Sequence, residues 1–160
     1  MDTEFERVFD GELTDWVNVL PAYQQKLVGD MLSNRKPVDV AVAWLSSTGP
    51  KDTASFGTIR KGIDLFYDNL LSEIHSLLCR PTGYPDERRE VIRSAKVGRT
   101  AFVTAVCTAV GPHVGMSPVV LAPAVAITLA VVGQAGRGAV CSSLEQLIED
   151  RRQQGNKSSK

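Results

Sequence analysis

The sequence lacks most of the features that mark a specialised protein: it has no net charge, few prolines, few aromatic residues and only three cysteines. Its 160 residues include 18 basic and 18 acidic side chains, so no overall field directs it to nucleic acid or to an acidic membrane surface. With 8 prolines and 43 % hydrophobic residues, the chain is predicted to fold rather than remain disordered. The length predicts one domain.

Cysteine is too scarce to build a disulfide scaffold or a zinc site. Cys79, Cys107 and Cys141 are odd in number, no CxxC or HxxxH spacing occurs, and the opening residues MDTEFERVFDGE hold no apolar run. The sequence therefore predicts reduced thiols in a cytoplasmic protein without metal or cofactor. A catalytic pair of Cys107 or Cys141 with His113 or His75 is disfavoured, because a cysteine buried in apolar surroundings is inert.

Apolar residues that recur every three or four positions predict an all-α protein, a compact bundle of about six to seven helices. Residues 38–45 alternate as a strand would, but they fit a helix equally well and no other segment offers a convincing strand partner, so helix is predicted. A single helical domain is predicted over residues 1–152, with a frayed polar tail over 153–160.

Two predicted helices carry apolar stripes. In the segment 21–34, Tyr23, Leu27 and Met31 share one face. The longest stripe lies in a helix predicted over residues 56–78, and it is typical either of a core face, the more common use, or of a surface that binds a partner helix. The residues of this candidate interaction surface are Phe56, Ile59, Ile63, Phe66, Leu70 and Leu77.

The segment from Thr100 to Gly136 contains no acidic residue, lysine or arginine. The sequence GPHVGMSP predicts a turn in its middle, which leaves two arms that are short for a bilayer, since a spanning helix needs about 20 residues. We therefore predict a buried helical hairpin at the centre of the bundle. Each arm carries a stripe of small residues that would let the two helix backbones approach closely. The stripes are Gly98, Ala101, Ala105 and Ala109 in the first arm, and Ala122, Ala126, Ala130 and Gly133 in the second.

The last helix is predicted to run from Pro123 to Arg152, through a segment rich in glycine. Glycine weakens a helix by up to about 1 kcal/mol relative to alanine, so three glycines within six residues require a reason. We predict, in order of preference, close backbone packing, a bend, or the approach of a ligand at Gly133, Gly136 and Gly138.

Three basic residues, Arg89, Arg93 and Lys96, share one face of the helix before the neutral run. A basic stripe can hold phosphates, but no aromatic residues are interleaved and the net charge is zero, so nucleic-acid binding is disfavoured. The alternative is that acidic residues nearby, Glu87 and Glu90 or the acidic N-terminal segment, neutralise the stripe.

The sequence holds no convincing catalytic, metal-binding or nucleotide-binding motif. The leading hypothesis is therefore a non-catalytic cytoplasmic protein that binds another protein or itself, as a homo-oligomer. One alternative is a membrane-active protein that inserts the hairpin 100–136 into a bilayer, since the basic residues that flank the run could all stay on one side. A weaker alternative is a small-molecule-binding protein or enzyme with a pocket near Gly133–Gly138.

Overall fold

The computed structural model describes residues 6–48, 56–80, 82–134 and 136–158. Within these ranges the chain forms eight α-helices, two short 3₁₀ helices and no strand, which confirms the all-α bundle. The α-helices are α1 (Leu13–Val17), α2 (Ala22–Leu32), α3 (Pro37–Thr48), α4 (Phe56–Cys79), α5 (Pro85–Val97), α6 (Arg99–Val114), α7 (Pro118–Gly133) and α8 (Val140–Ser158). The 3₁₀ helices cover Arg7–Phe9 and Arg137–Ala139.

Two boundaries test the expectations from sequence. The ambiguous segment 38–45 lies entirely within α3, so its helical prediction is confirmed. α8 continues to Ser158, beyond the residue 152 at which the folded domain was predicted to end.

Proline explains where two helices begin. Pro85 and Pro118 occupy the first turns of α5 and α7, where a missing N–H leaves no helical hydrogen bond unmade. Pro123, in contrast, does not begin the last helix as predicted, because it lies inside α7. Its missing N–H leaves the carbonyl of Val119, four residues earlier, without its usual helical partner.

α7 is the central helix of the bundle. It contacts α1, α3, α6 and α8, and nearly every side chain from Leu121 to Val132 is buried. A helix that is apolar on all sides requires neighbours on all sides, and α7 has them. The second arm of the neutral run is therefore core, as predicted.

The polar group at the middle of α7 is fully satisfied. Thr128 donates its hydroxyl proton to the carbonyl of Ala124 at 2.7 Å, so the hydroxyl of Tyr67, 2.8 Å away, must donate to Thr128 Oγ1. Burial raises the pKa of Tyr67 to about 12, which keeps this proton in place. The bond fixes α4 against α7 in the core.

The two arms of the neutral run do not form the antiparallel hairpin that the sequence predicts. α6 ends at Gly115, whose φ of 75° is left-handed and suits glycine. The axes of α6 and α7 are bent by 114° at this break. An antiparallel hairpin would require an almost complete reversal of direction. The helices contact one another, but they cross obliquely.

The small-residue stripe of α6 lies beside α5, with Ala101 and Ala105 half-buried and Ala109 buried in the core. Ala101, Ala105 and Ala109 line an open groove beside α5, and no atom lies within 4 Å of the position that a Cβ would take at Gly98. The part of the stripe at Ala101 and Ala105 therefore borders an open groove rather than a closely packed helix. Small side chains permit a close approach, but they do not specify which neighbour makes it.

The small-residue stripe of α7 does allow a close approach, although to a different partner. A methyl group added at Gly133 would come within 3.2 Å of the Phe9 ring. Ala126 and Ala130 are buried, and Ala122 lines a pocket with Leu20. This stripe thus receives the N-terminal segment of the chain at both ends.

The prediction of one continuous helix through the glycine-rich segment is wrong. α7 ends at Gly133, and α8 begins only at Val140, after the second 3₁₀ helix. Gly136 adopts a φ of 109°, which L side chains rarely adopt. Both structural explanations of the glycines therefore apply, close packing at Gly133 and a change of direction at Gly136.

The expectation of three reduced thiols is also wrong. Cys79, the last residue of α4, forms a disulfide with Cys141 at the start of α8, and their Cα atoms are 5.8 Å apart. Cys107 is free and buried. The two bonded cysteines are separated by 62 positions, so their proximity depends on the packing of α4 against α8.

A pair of matched substitutions tests the positions of the two alanine stripes. Ala126→Leu inserts a larger side chain into the closed core and should lower the free energy of unfolding by about 1–3 kcal/mol. Ala105→Leu makes the same change beside an open groove, so its effect should stay within about 0.5 kcal/mol. Denaturant unfolding at low protein concentration measures both values. Equal losses would mean that Ala105 is packed as closely as Ala126.

Candidate functional site

The predicted interaction stripe on α4 is mostly core where its side chains are described. Leu70 and Leu77 are fully buried, and Phe66 is half-buried against the core. These residues are not a surface for a partner. Phe56, Ile59 and Ile63 lie in α4, but their side chains are outside the described part of the structure.

The basic stripe on α5 is exposed and paired within its own helix. Arg93 forms an ion pair with Glu90, and Arg89 lies 4.0 Å from Asp86. Of the two acidic residues expected to neutralise the stripe, Glu90 is paired with Arg93, whereas Arg89 lies near Asp86 rather than Glu87. Lys96 is exposed on the same helix.

The cysteine and histidine residues do not come together. Cys141 is in the disulfide, and burial raises the pKa of the Cys107 thiol to about 12, so it is neither charged nor reactive at neutral pH. His75 contacts Glu145 at 3.2 Å, while the ring of His113 lies against Tyr84. Within the described ranges, no cluster of three or more histidine, cysteine or acidic residues could hold a metal ion.

A groove of about 640 Å³ runs along the outer surface between α5 and α6. The floor on α6 consists of the alanine stripe with Thr104 and Thr108, whose hydroxyls donate to the carbonyls one turn earlier. The wall on α5 is formed by Glu87, Glu90 and Ser94. We call this feature the α5–α6 groove. Its floor offers no protruding side chain and no unsatisfied threonine donor.

A second, smaller cavity has a volume of about 220 Å³ and opens where the corner between α1 and α2 meets α6 and α7. We call it the Gln24 pocket. All of its lining residues are uncharged, and most are apolar. They are Val19, Leu20, Pro21, Gln24, Thr100, Val103, Thr104, Cys107, Pro118, Val119 and Ala122.

Gln24 is the unusual member of this lining, since it is 2 % exposed. Its Nε2 donates to the carbonyl of Val119 at 3.0 Å, the acceptor that Pro123 leaves open inside α7. Its Oε1 is buried and has no hydrogen-bond partner. A buried acceptor without a partner costs about 1–3 kcal/mol, so the amide oxygen requires an explanation.

The sequence could not identify Gln24. The shared face of Tyr23, Leu27 and Met31 predicts that these residues point inwards, but Tyr23 and Leu27 are 59 % and 49 % exposed. α2 instead buries Gln24 and Val28. Glutamine is usually a surface residue, so nothing in its type marks it for burial.

A third cavity, of about 370 Å³, is lined by basic residues at the start of α6. Arg7, Lys96 and Arg99 line it, together with Val8, Ala95 and Gly98. Arg99 is engaged in structural contacts, because it donates to the carbonyl of Asp10 and lies over the ring of Trp16. The α5–α6 groove, the Gln24 pocket and this third cavity are all lined by residues outside the segment Gly133–Gly138.

No single helix in the described part of the chain is long and apolar enough to cross a membrane. The bent pair of α6 and α7 passes the same test of length and composition when the two helices are taken together. Most of α7 is buried in the core.

Comparisons of this chain with protein-family models, with curated proteins and with solved structures found no match. The function is therefore inferred from the geometry of the surface and of its cavities.

Proposed function

We propose that this protein acts through protein–protein association, and that its partner is a second copy of the chain bound through the α5–α6 groove. The observation that carries the proposal is the groove itself, an open surface with a floor of alanine and threonine side chains. Such a floor lets another helix approach closely, with many weak contacts along its length.

The charges on α5 favour a second copy in the opposite direction. Glu87 and Glu90 line the groove among the first turns of α5, and Arg93 follows Glu90 by three residues on the exposed surface of the helix. When two copies pair antiparallel about a twofold axis, Glu90 of each α5 faces Arg93 of the other. An interface of this kind is self-complementary, as twofold symmetry requires.

An exposed valine supports the same arrangement. Val97, the last residue of α5, is 78 % exposed. In the antiparallel pairing it approaches the part of the partner's groove that Glu87, Thr108 and Ala109 line. Burial of this side chain on association would remove apolar surface from water at both ends of the interface.

Analytical ultracentrifugation tests the proposal on the intact chain, and a concentration-dependent dimer is expected. Arg93→Glu should weaken association about tenfold, because each of two symmetric ion pairs becomes a repulsion and an exposed pair is worth about 0.2–1 kcal/mol. The double substitution Glu90→Arg with Arg93→Glu restores both the pair within the helix and the pair between copies. It should therefore dimerise as the original protein does.

α8 offers a matched control for these changes. Arg152 and Glu149 are also exposed, are spaced i, i+3 and lie 3.6 Å apart. Arg152→Glu should leave association unchanged, whereas Ala105→Glu, which places a charge on the groove floor, should abolish it. A protein that stays monomeric at every concentration, or a dimer that is insensitive to both groove substitutions, would overturn the proposal.

A membrane-active role is the alternative, and the bent pair of α6 and α7 is the observation that supports it. Insertion would require α7 to leave the core, with loss of its contacts to α1, α3 and α8. Release of dye from liposomes that contain acidic lipid distinguishes the two functions. A monomer that releases dye would favour the membrane role, and a dimer without dye release would favour self-association.

A further inference from the structure

The Gln24 pocket has a different lining from the groove, because its walls come from the corner between α1 and α2 and from α2, α6 and α7, and it shares only Thr104 with the groove. Apolar side chains, among them Leu20, Val103 and Ala122, form most of its surface. Exposed residues such as Pro21 and Thr100 stand at its edge, so the pocket opens to solvent. A ligand can therefore enter from solvent, whereas contact with Gln24 Oε1, an atom closed to water in this structure, requires a shift of neighbouring side chains.

The polar side chains of the pocket are Gln24, Thr100 and Thr104, and the Thr104 hydroxyl already donates to the carbonyl of Thr100. Because Gln24 Nε2 is committed to the carbonyl of Val119, the orientation of the amide is fixed and Oε1 must be the acceptor. This oxygen is buried without a partner. The pocket thus combines a mostly apolar wall with a buried amide oxygen that no protein group satisfies, and a few polar groups in an apolar wall are the usual composition of a site for a small organic molecule.

The pocket carries no charge. Every lining residue is neutral in type, and burial raises the pKa of the Cys107 thiol to about 12, so the thiol also stays uncharged. A charged ligand would lose its hydration here and gain no opposite charge in return. The ligand must therefore be neutral, with a group that donates a hydrogen bond.

The volume limits the size of that molecule. At about 220 Å³, the pocket is larger than the cavity of about 150 Å³ that holds benzene in another protein. It is smaller than the pockets of about 300 Å³ and above that take drug-sized ligands. A molecule with one or two rings fits between these limits.

We infer that the Gln24 pocket binds a small neutral alcohol or phenol, whose rings fill the apolar cavity and whose hydroxyl donates to Gln24 Oε1. Gln24 then has both of its polar atoms satisfied, and the position of the hydroxyl sets the orientation of the ligand. The carbonyl of Val119 holds the amide in the required orientation, because Pro123 has no N–H to bond that carbonyl within the helix.

Binding of 2-naphthol and of 2-methoxynaphthalene to the intact protein tests this inference, because the two probes share a ring system and differ in the donor. Nitrogen-15 NMR should show shifts at Gln24, Val103, Cys107 and Val119 on addition of 2-naphthol. Calorimetry should show about two- to tenfold tighter binding of 2-naphthol than of the methyl ether, the value of one hydrogen bond. The anion 2-naphthoate should not bind.

Gln24→Leu removes the acceptor and should abolish the preference for 2-naphthol over its methyl ether. Gln146→Leu is the matched control, since it makes the same change on the exposed surface of α8 and should preserve the preference. If Gln24→Leu does not fold, as judged by circular dichroism, Ala122→Leu provides a second test, because it narrows the pocket and should weaken both probes.

Two results would overturn the inference. One is the absence of shifts at the pocket residues with 2-naphthol, which would mean that Gln24 Oε1 serves no ligand of this class. The other is equal affinity for 2-naphthol and its methyl ether in the original protein. Both measurements are independent of the oligomeric state, so this inference can fail while the proposed self-association holds.

Discussion

Replacement of both Cys79 and Cys141 with serine is expected to lower the free energy of unfolding by about 4 kcal/mol. The bond joins the end of α4 to the start of α8 across a separation of 62 residues. In the chain-entropy account, closing so long a loop removes many conformations from the unfolded state and few from the folded one. The double substitution avoids a lone reactive thiol in place of the bond.

Urea unfolding measures this effect, and the original protein in a reducing buffer should unfold as the double variant does. Cys107→Ala is the control, because it removes a buried thiol and leaves the disulfide in place. A thiol titration of the denatured protein should find one free thiol per chain without reductant and three with it. Three free thiols without reductant would contradict the bond.

The disulfide also changes the argument about location. Disulfides persist in oxidising compartments and are rare in the cytosol. The cytoplasmic location predicted from the sequence depended on reduced thiols, so that support is removed. Differential alkylation of Cys79 and Cys141 in fresh lysate would measure whether the bond forms in the cell.

Local signals were sufficient to predict much of the fold. Pro85 and Pro118 begin α5 and α7 because proline suits the first turn of a helix, and apolar spacing identifies α4. The second arm of the neutral run predicts burial, because a helix that is apolar on all sides requires neighbours on all sides, whereas α6 in the first arm borders an open groove. These properties belong to single segments, so no knowledge of the neighbours is needed.

The remaining features depend on which segments meet, and the sequence does not encode this locally. The alanine stripe of α6 predicts a close neighbour, yet Ala105 lies beside an open groove. Gln24 is held in its pocket by a hydrogen bond to the carbonyl of Val119. Pro123, far along the chain, leaves that carbonyl without a helical donor. The pairing of Cys79 with Cys141 likewise follows from the contact of α4 with α8.

Phe102→Ala is the second substitution with a large expected effect, a loss of about 3–5 kcal/mol in the free energy of unfolding. Phe102 is fully buried on α6 and meets Phe9 edge-to-face, with ring centroids 5.5 Å apart. Trp16 completes the cluster, 5.8 Å from Phe9 and 6.4 Å from Phe102. Truncation would leave a cavity between α6 and the N-terminal segment, because neither of the other rings can fill it.

Phe102→Leu is the matched control, since it keeps an apolar side chain of similar volume and should have a smaller effect. The same cluster positions Arg99 over the ring of Trp16, so Phe102→Ala should also change the fluorescence of Trp16 in the folded state. If alanine and leucine reduce stability equally, the rings are not closely packed. The N-terminal segment would then be held by Gly133 against Phe9 rather than by the aromatic contacts.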